Sequence, residues 1–230
     1  MNSEIARIKE MFVSTQGEGP LVGYRQLFIR FCACNLACNY CDTDYTFENT
    51  NFVYSPNELT EFLEKEFELQ TIHSISLTGG EPLLHAEFFK EFIPTLPAKY
   101  YLETNATLAD KMYTVLDLID IVSADIKLPS ATGVNGTLEK HNTFFSTVRQ
   151  NKEIYLFAKM VFDENITEEE ILAATNMAKK YDFELILQPK TNPDNKIIPI
   201  NFAEEVFSKC LKRHKNTRLI PQVHKFLDIR

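Results

Sequence analysis

Five cysteines occur in this 230-residue chain, and three of them, Cys34, Cys38 and Cys41, fall within eight residues. Thiolates spaced this closely on one loop converge on a soft metal centre, selecting zinc, Cu(I) or an iron-sulfur cluster. A closed structural zinc site wants a fourth Cys or His nearby, usually as a second paired knuckle. The nearest histidine is His73, and Cys210 stands alone far downstream. A disulfide framework needs an even pairing and an oxidising compartment. A three-thiolate site is either completed elsewhere or left open to a ligand. Spacing alone does not exclude Cys32 as a ligand; for it and for Cys210 the ordinary role is a buried thiol.

Other stretches carry ligand-binding chemistry. In Thr78-Gly79-Gly80-Glu81-Pro82 the paired glycines let backbone approach a ligand, and Glu81 can accept hydrogen bonds from an ammonium group. Ser123, Asp125 and Lys127 alternate around Ala124 and Ile126, so on a strand they share a face. Gln188-Pro189-Lys190-Thr191 closes a later apolar run. Ahead of the cysteines, Gln16 and Glu18 flank Gly17 in Thr15-Gln16-Gly17-Glu18-Gly19-Pro20 and offer donors and acceptors for a heterocyclic edge. Arg30 offers a bidentate carboxylate clamp. Together they suggest a small, flat, acidic substrate.

These residues must be positioned by the elements around them. Leu27–Phe31, Ile72–Leu77, Tyr100–Glu103, Ile119–Ser123, Ile154–Val161 and Phe183–Leu187 read as strands, with Arg218–Ile220 as an auxiliary seventh. Ser55-Pro56-Asn57-Glu58 and Thr167-Glu168-Glu169-Glu170 are capping boxes opening amphipathic runs over Leu59–Leu69 and Ile171–Tyr181. Such alternation implies βα units and a parallel sheet. The length falls short of eight full units, so the expected fold is α/β, an incomplete, open (β/α)6 barrel of mostly parallel strands. Ligands of parallel α/β folds bind beyond the carboxyl ends of the strands, where the polar stretches fall. The segment Leu128–His141 is a loop or a short helix over the site.

Composition, 44% hydrophobic and 24% charged, is that of a soluble globular chain and suggests one domain over residues 1–230. A net charge of −8 argues against a nucleic-acid or membrane-surface role. The start, Met1-Asn2-Ser3-Glu4, lacks a basic region followed by an apolar stretch, and with its unpaired cysteines the chain reads as cytoplasmic.

Cys34, Cys38 and Cys41, followed by Gly79-Gly80-Glu81, resemble the motifs of the radical S-adenosylmethionine (SAM) superfamily. Within it, Thr15–Gly19, Arg30-Phe31, Cys34-Asn35-Leu36, Cys41-Asp42-Thr43-Asp44 and Pro221-Gln222-Val223-His224-Lys225-Phe226-Leu227 resemble the 7-carboxy-7-deazaguanine synthase family, over essentially the whole chain. The resemblance implies a 4Fe-4S cluster on Cys34, Cys38 and Cys41 whose fourth iron is chelated by SAM, and a Mg²⁺ ion on Thr43. It implies ring contraction of 6-carboxy-5,6,7,8-tetrahydropterin to 7-carboxy-7-deazaguanine with release of ammonia, for queuosine and related deazapurines. Thr15, Gln16, Gly17, Glu18, Arg30, Thr78, His224 and the backbone of Arg230 become substrate contacts. Tyr40, Cys41, Asp42, Gly79, Gly80, Glu81, Ser123, Ala124, Asp125, Lys127, Gln188, Pro189, Lys190 and Thr191 become cofactor contacts. It also implies a homodimer and an electron donor such as a flavodoxin or ferredoxin. Two alternatives share the cysteines: an activating enzyme for glycyl-radical proteins and a non-enzymatic metal-binding module.

Overall fold

Hydrophobic side chains recur with period two through a series of short runs, and each run forms a strand of a single sheet. The computed structural model describes residues 4–41, 44–48, 52–191 and 197–229. Among them, in chain order, are β1 (Ala6–Thr15), β2 (Arg25–Phe31), β3 (Phe52–Tyr54), α1 (Pro56–Glu66), β4 (Ser74–Gly79), α2 (Ala86–Phe92) and β5 (Tyr100–Thr104). There follow α3 (Ala109–Thr114), β6 (Ile121–Ile126), α4 (Pro129–Thr132), α5 (Thr137–Val148), β7 (Tyr155–Phe162) and α6 (Glu168–Lys180). The last are β8 (Glu184–Pro189), α7 (Ile200–Arg213), β9 (Thr217–Leu219) and α8 (Val223–Leu227).

The strand order is β3-β1-β2-β4-β5-β6-β7-β8-β9. From β2 to β9 every neighbouring pair is parallel, whereas β1 pairs antiparallel with both β2 and β3. The sheet is open, with β3 and β9 as its edges. The expected six parallel strands and the short seventh are present. The antiparallel pair at the amino end extends the sheet beyond that count.

Strand ends differ from expectation where parallel pairing continues. β4 runs through Thr78 and Gly79 because these pair with Arg30 and Phe31 of β2, and β6 runs through Asp125 and Ile126, which pair with Lys159 and Met160. Both expected capping boxes form. Ser55 and Glu58 start α1, and Thr167 and Glu170 start α6. The segment after β6 is helical: α4 ends at Gly133, whose φ of 73° is left-handed, and α5 begins after Gly136, also at 73°. No helix among the described residues is long and apolar enough to cross a membrane.

Alternation divides the sheet into two chemically distinct faces. Leu27, Ile29 and Phe31 of β2, Ile75 and Leu77 of β4, Val122, Ala124 and Ile126 of β6 and Leu185 and Leu187 of β8 point to one side. There they join Leu59, Phe89, Phe144, Ile171 and Ala203 of the covering helices in the main core. On the other side, Tyr101, Ile121, Phe157 and Ile186 form a small apolar plug near the amino ends of the strands. Above the plug, the same face turns polar.

Candidate active site

The polar end of that face is built from one side chain of each of the six principal parallel strands: Arg30, Thr78, Glu103, Asp125, Lys159 and Gln188. All six line a single cavity of about 610 Å³. Parallel register sets neighbours side by side, Arg30 with Thr78 and Asp125 with Lys159. The β1–β2 connection crosses the face. Gly19, at a φ of 66°, lies so close to the Phe157 ring that a side chain there would strike it, and Leu21 packs on the plug. This brings Thr15, Gln16, Gly17 and Glu18 into the cavity wall.

The carboxyl-terminal segment closes the same region. Val223 N donates to Gly17 O at 2.9 Å, Gln222 Nε2 donates to Glu18 Oε1 at 2.8 Å, and a Cβ at Gly17 would strike His224. Gly17 is therefore small so that α8 can lie on it. Gln222, His224, Lys225 and Ile229 line the cavity.

Electrostatically the site centres on Lys159, 2% exposed and ion-paired with Glu18 and Glu103, with Asp125 at 3.4 Å. Asp125 also holds Lys127 at 2.8 Å, and Lys127 Nζ donates to the Tyr40 hydroxyl at 3.3 Å. Burial alone would raise the Glu18 carboxyl, but the charge and hydrogen bond of Lys159, with Gln222 and His224, hold it down at about 2. Burial alone would lower Lys159, and its carboxylates raise it well above the ordinary lysine range instead. Thr78 Oγ1 donates to the second oxygen of Glu103 at 3.1 Å. Arg30 Nε donates to Glu10 at 2.8 Å beside the Phe12 ring. Gln16 is tied into a chain, donating to Gln26 at 2.9 Å, which donates to Ser74 at 2.9 Å.

The cysteine loop contributes to the same cavity: Cys34, Cys38 and Cys41 all line it with Tyr40. Asn39 N donates to Thr132 O at 2.9 Å, fixing the loop to α4. Burial raises the thiols of Cys34 and Cys38 above the ordinary range, as expected where a cation must compensate the thiolates. Gly79 and Gly80 pass against the backbone of Phe31 and Ala33; a Cβ on either would collide with those carbonyls. Their backbone thus forms a cradle beside the thiols. Gln188 Oε1 and Thr191 Oγ1 are buried atoms of cavity-lining residues that have no hydrogen-bond partner among the described residues. Acceptors left so call for a polar ligand. Three thiolates, a glycine cradle and open acceptors fit a cluster with a chelating, ammonium-bearing cofactor.

Some expected contacts lie elsewhere. Glu81 is fully buried, and its carboxylate accepts from Leu83 N (3.0 Å), Thr104 Oγ1 (2.8 Å) and Asn105 N (2.7 Å). It braces the glycine loop rather than lining the cavity, and burial raises its carboxyl to about 7. Ala124 packs in the main core because it alternates with Ser123 and Asp125. Ser123 and Pro189 are buried within their strands, below or beside the cavity wall. Cys32 and Cys210 are buried. Asp42, Thr43 and Arg230 fall outside the described residues. Lys159, Glu103, Lys9, Glu10 and Asn105 line the cavity without having been singled out. Lysine and glutamate inside otherwise apolar strand runs were the available signal.

The fold and site define a class. The family model described as the Radical SAM superfamily matches residues 28–194, and the chain belongs to that superfamily. It is similar over 98% of its length to the 7-carboxy-7-deazaguanine synthase of Archaeoglobus fulgidus, at 35% identity and 99% coverage of that protein. The enzyme of the same name from Geobacter sulfurreducens is 33% identical, with 99% of each chain covered. Within the superfamily the chain thus stands among the 7-carboxy-7-deazaguanine synthases. The fold is shared with QueE from Escherichia coli at a TM-score of 0.60 and 20% identity, covering 96% of this chain and 95% of that one.

Proposed function

We propose that the chain contracts 6-carboxy-5,6,7,8-tetrahydropterin to 7-carboxy-7-deazaguanine, releasing ammonia, on the route to queuosine and related deazapurines. One observation carries the reading: six parallel strands each present a polar side chain to one cavity that Cys34, Cys38 and Cys41 also line. Those thiolates are the ligands proposed for a 4Fe-4S cluster. The cluster and SAM, when bound, supply the radical that removes hydrogen from substrate C6.

The chain's own groups bind, orient and exclude. Gly79 and Gly80 offer backbone to the methionine moiety, while Asp125, Lys127, Tyr40, Gln188, Lys190 and Thr191 line the remaining cofactor wall. Glu18, held ionised, and Gln16 face the substrate's nitrogen-rich edge. Arg30 is oriented by Glu10 to meet the carboxylate, and Thr78 and His224 close around the ring. Glu81 keeps the cradle's shape. Mg²⁺ would be met by Thr43 and the substrate carboxylate, since this ion takes few protein ligands. Residues 1–230 act as one domain, with an amino-terminal substrate segment and a carboxyl-terminal closing segment. The enzyme works as a cytoplasmic homodimer, reduced by a flavodoxin or ferredoxin.

The test is an anaerobic assay of reconstituted protein with SAM, reductant, Mg²⁺ and 6-carboxytetrahydropterin. Deazaguanine product with equimolar ammonia is the expected result. Formation of 5′-deoxyadenosine without product would keep the radical chemistry and remove the substrate assignment.

A further inference from the structure

A closed ring of side-chain hydrogen bonds holds the cysteine loop at Asn35. Asn35 Nδ2 donates to Thr107 Oγ1 at 2.9 Å, Thr107 Oγ1 donates to Asn105 Oδ1 at 2.6 Å, and Asn105 Nδ2 donates to Asn35 Oδ1 at 2.8 Å. Thr107 N donates to the same Asn105 oxygen at 3.2 Å. The ring fixes which way the Asn105 amide faces. Its oxygen accepts twice, and one of its two N–H groups is taken by Asn35. The remaining N–H meets Cys34 Sγ at 3.9 Å, and Leu36 N donates to that sulfur at 3.5 Å. Asn105 is 5% exposed, and its backbone N is pinned to Glu81 at 2.7 Å. The amide therefore has little freedom to turn towards water.

Donors directed at a cluster-ligating sulfur stabilise the more negative, reduced state and raise its reduction potential. We propose that Asn105 is a positioning residue that sets the reduction potential of a cluster ligated by Cys34, through the N–H its ring directs at that sulfur. The inference rests on the cluster reading of Cys34, Cys38 and Cys41, and is independent of the substrate.

The experiment uses wild-type, N105L, N105Q and T107V proteins reconstituted anaerobically with iron and sulfide. Iron content and midpoint potential are read by redox titration followed by electron paramagnetic resonance, without substrate. N105L is expected to load iron and to titrate at lower potential, its reduced fraction about tenfold smaller at fixed ambient potential, or about 59 mV for one electron. N105Q, which keeps the amide, should recover part of the shift. A loaded N105L protein with the wild-type midpoint would overturn the assignment. If N105L loads no iron, T107V decides, because it removes two of the three side-chain bonds of the ring without removing the amide: a lowered midpoint supports the role and an unchanged one overturns it. Wild-type protein with no four-iron signal would instead remove the cluster reading itself.

Discussion

Lys159 is the side chain on which the others converge, and its removal should be costly. Lys159→Met leaves Glu18 and Glu103 facing each other without their shared cation. Breaking a buried ion pair from one side costs about 3–5 kcal/mol, so the urea midpoint should fall sharply, and product formation with it. A second residue-scale expectation concerns His141. Its Nδ1–H donates to Ala106 O at 3.0 Å, and its Nε2 accepts from Lys127 N at 2.9 Å. Burial lowers this imidazole to about 4. The unfolded chain then takes up the proton first, so stability declines as pH falls from about 6.5 through 4, by on the order of 3 kcal/mol. Urea titrations across that range should show the decline, and His141→Gln should flatten it. Glu18 adds a loss at still lower pH, between 4.5 and about 2, because its folded carboxyl lies below its unfolded value. The cysteines, the glycine pair and Arg30 were legible in sequence because scarce or special residue types stood at tight spacings. Lys159, Glu103 and Asn105 were not, since the first two sit in runs read for their apolar periodicity and Asn105 lies just past the end of one. Ala124 shows the converse limit: one step along a strand moves a side chain from the site to the core.

At the scale of elements, the fold's contacts are made where glycine permits backbone to touch. Gly17→Ala should push α8 off the β1–β2 turn while sparing the sheet, because the three atoms nearest the added carbon all belong to His224. The expected phenotype is a raised KM for the pterin, with iron content and thermal midpoint close to wild type. Gly80→Ala should behave differently. Its new Cβ meets the Ala33 carbonyl at the root of the cysteine loop, and the backbone must shift, costing about 2 kcal/mol or more. Iron loading should fail along with stability, measured as bound iron per chain and as the urea midpoint. The parallel strands and capped helices could be read from periodicity and caps. The strand extensions at Thr78-Gly79 and Asp125-Ile126 could not, because they depend on a partner strand that local pattern does not encode. Leu128–His141 resolved into two helices for a similar reason: His141 is buried by contacts to Lys127 and Ala106.

For the whole molecule, the main core contains none of the three cluster-loop cysteines, so the sheet does not depend on metal for its cohesion. Stripping iron with a chelator under oxidising conditions should leave the far-ultraviolet circular dichroism unchanged and keep unfolding cooperative. Coincident loss of secondary structure would show that the loop helps hold the fold. The region matched by the superfamily model, residues 28–194, contains the cysteine loop and strands β3 to β8. Gln16, Gly17 and Glu18 precede it, and Gln222 and His224 follow it. The seam between the two flanks is made by the contacts of Gln222 with Glu18 and Val223 with Gly17. The two flanks thus meet across the matched region and behave as a matched lock. A graft that exchanges both between relatives carries its own seam intact, whereas a graft of either alone leaves a latch without its keeper.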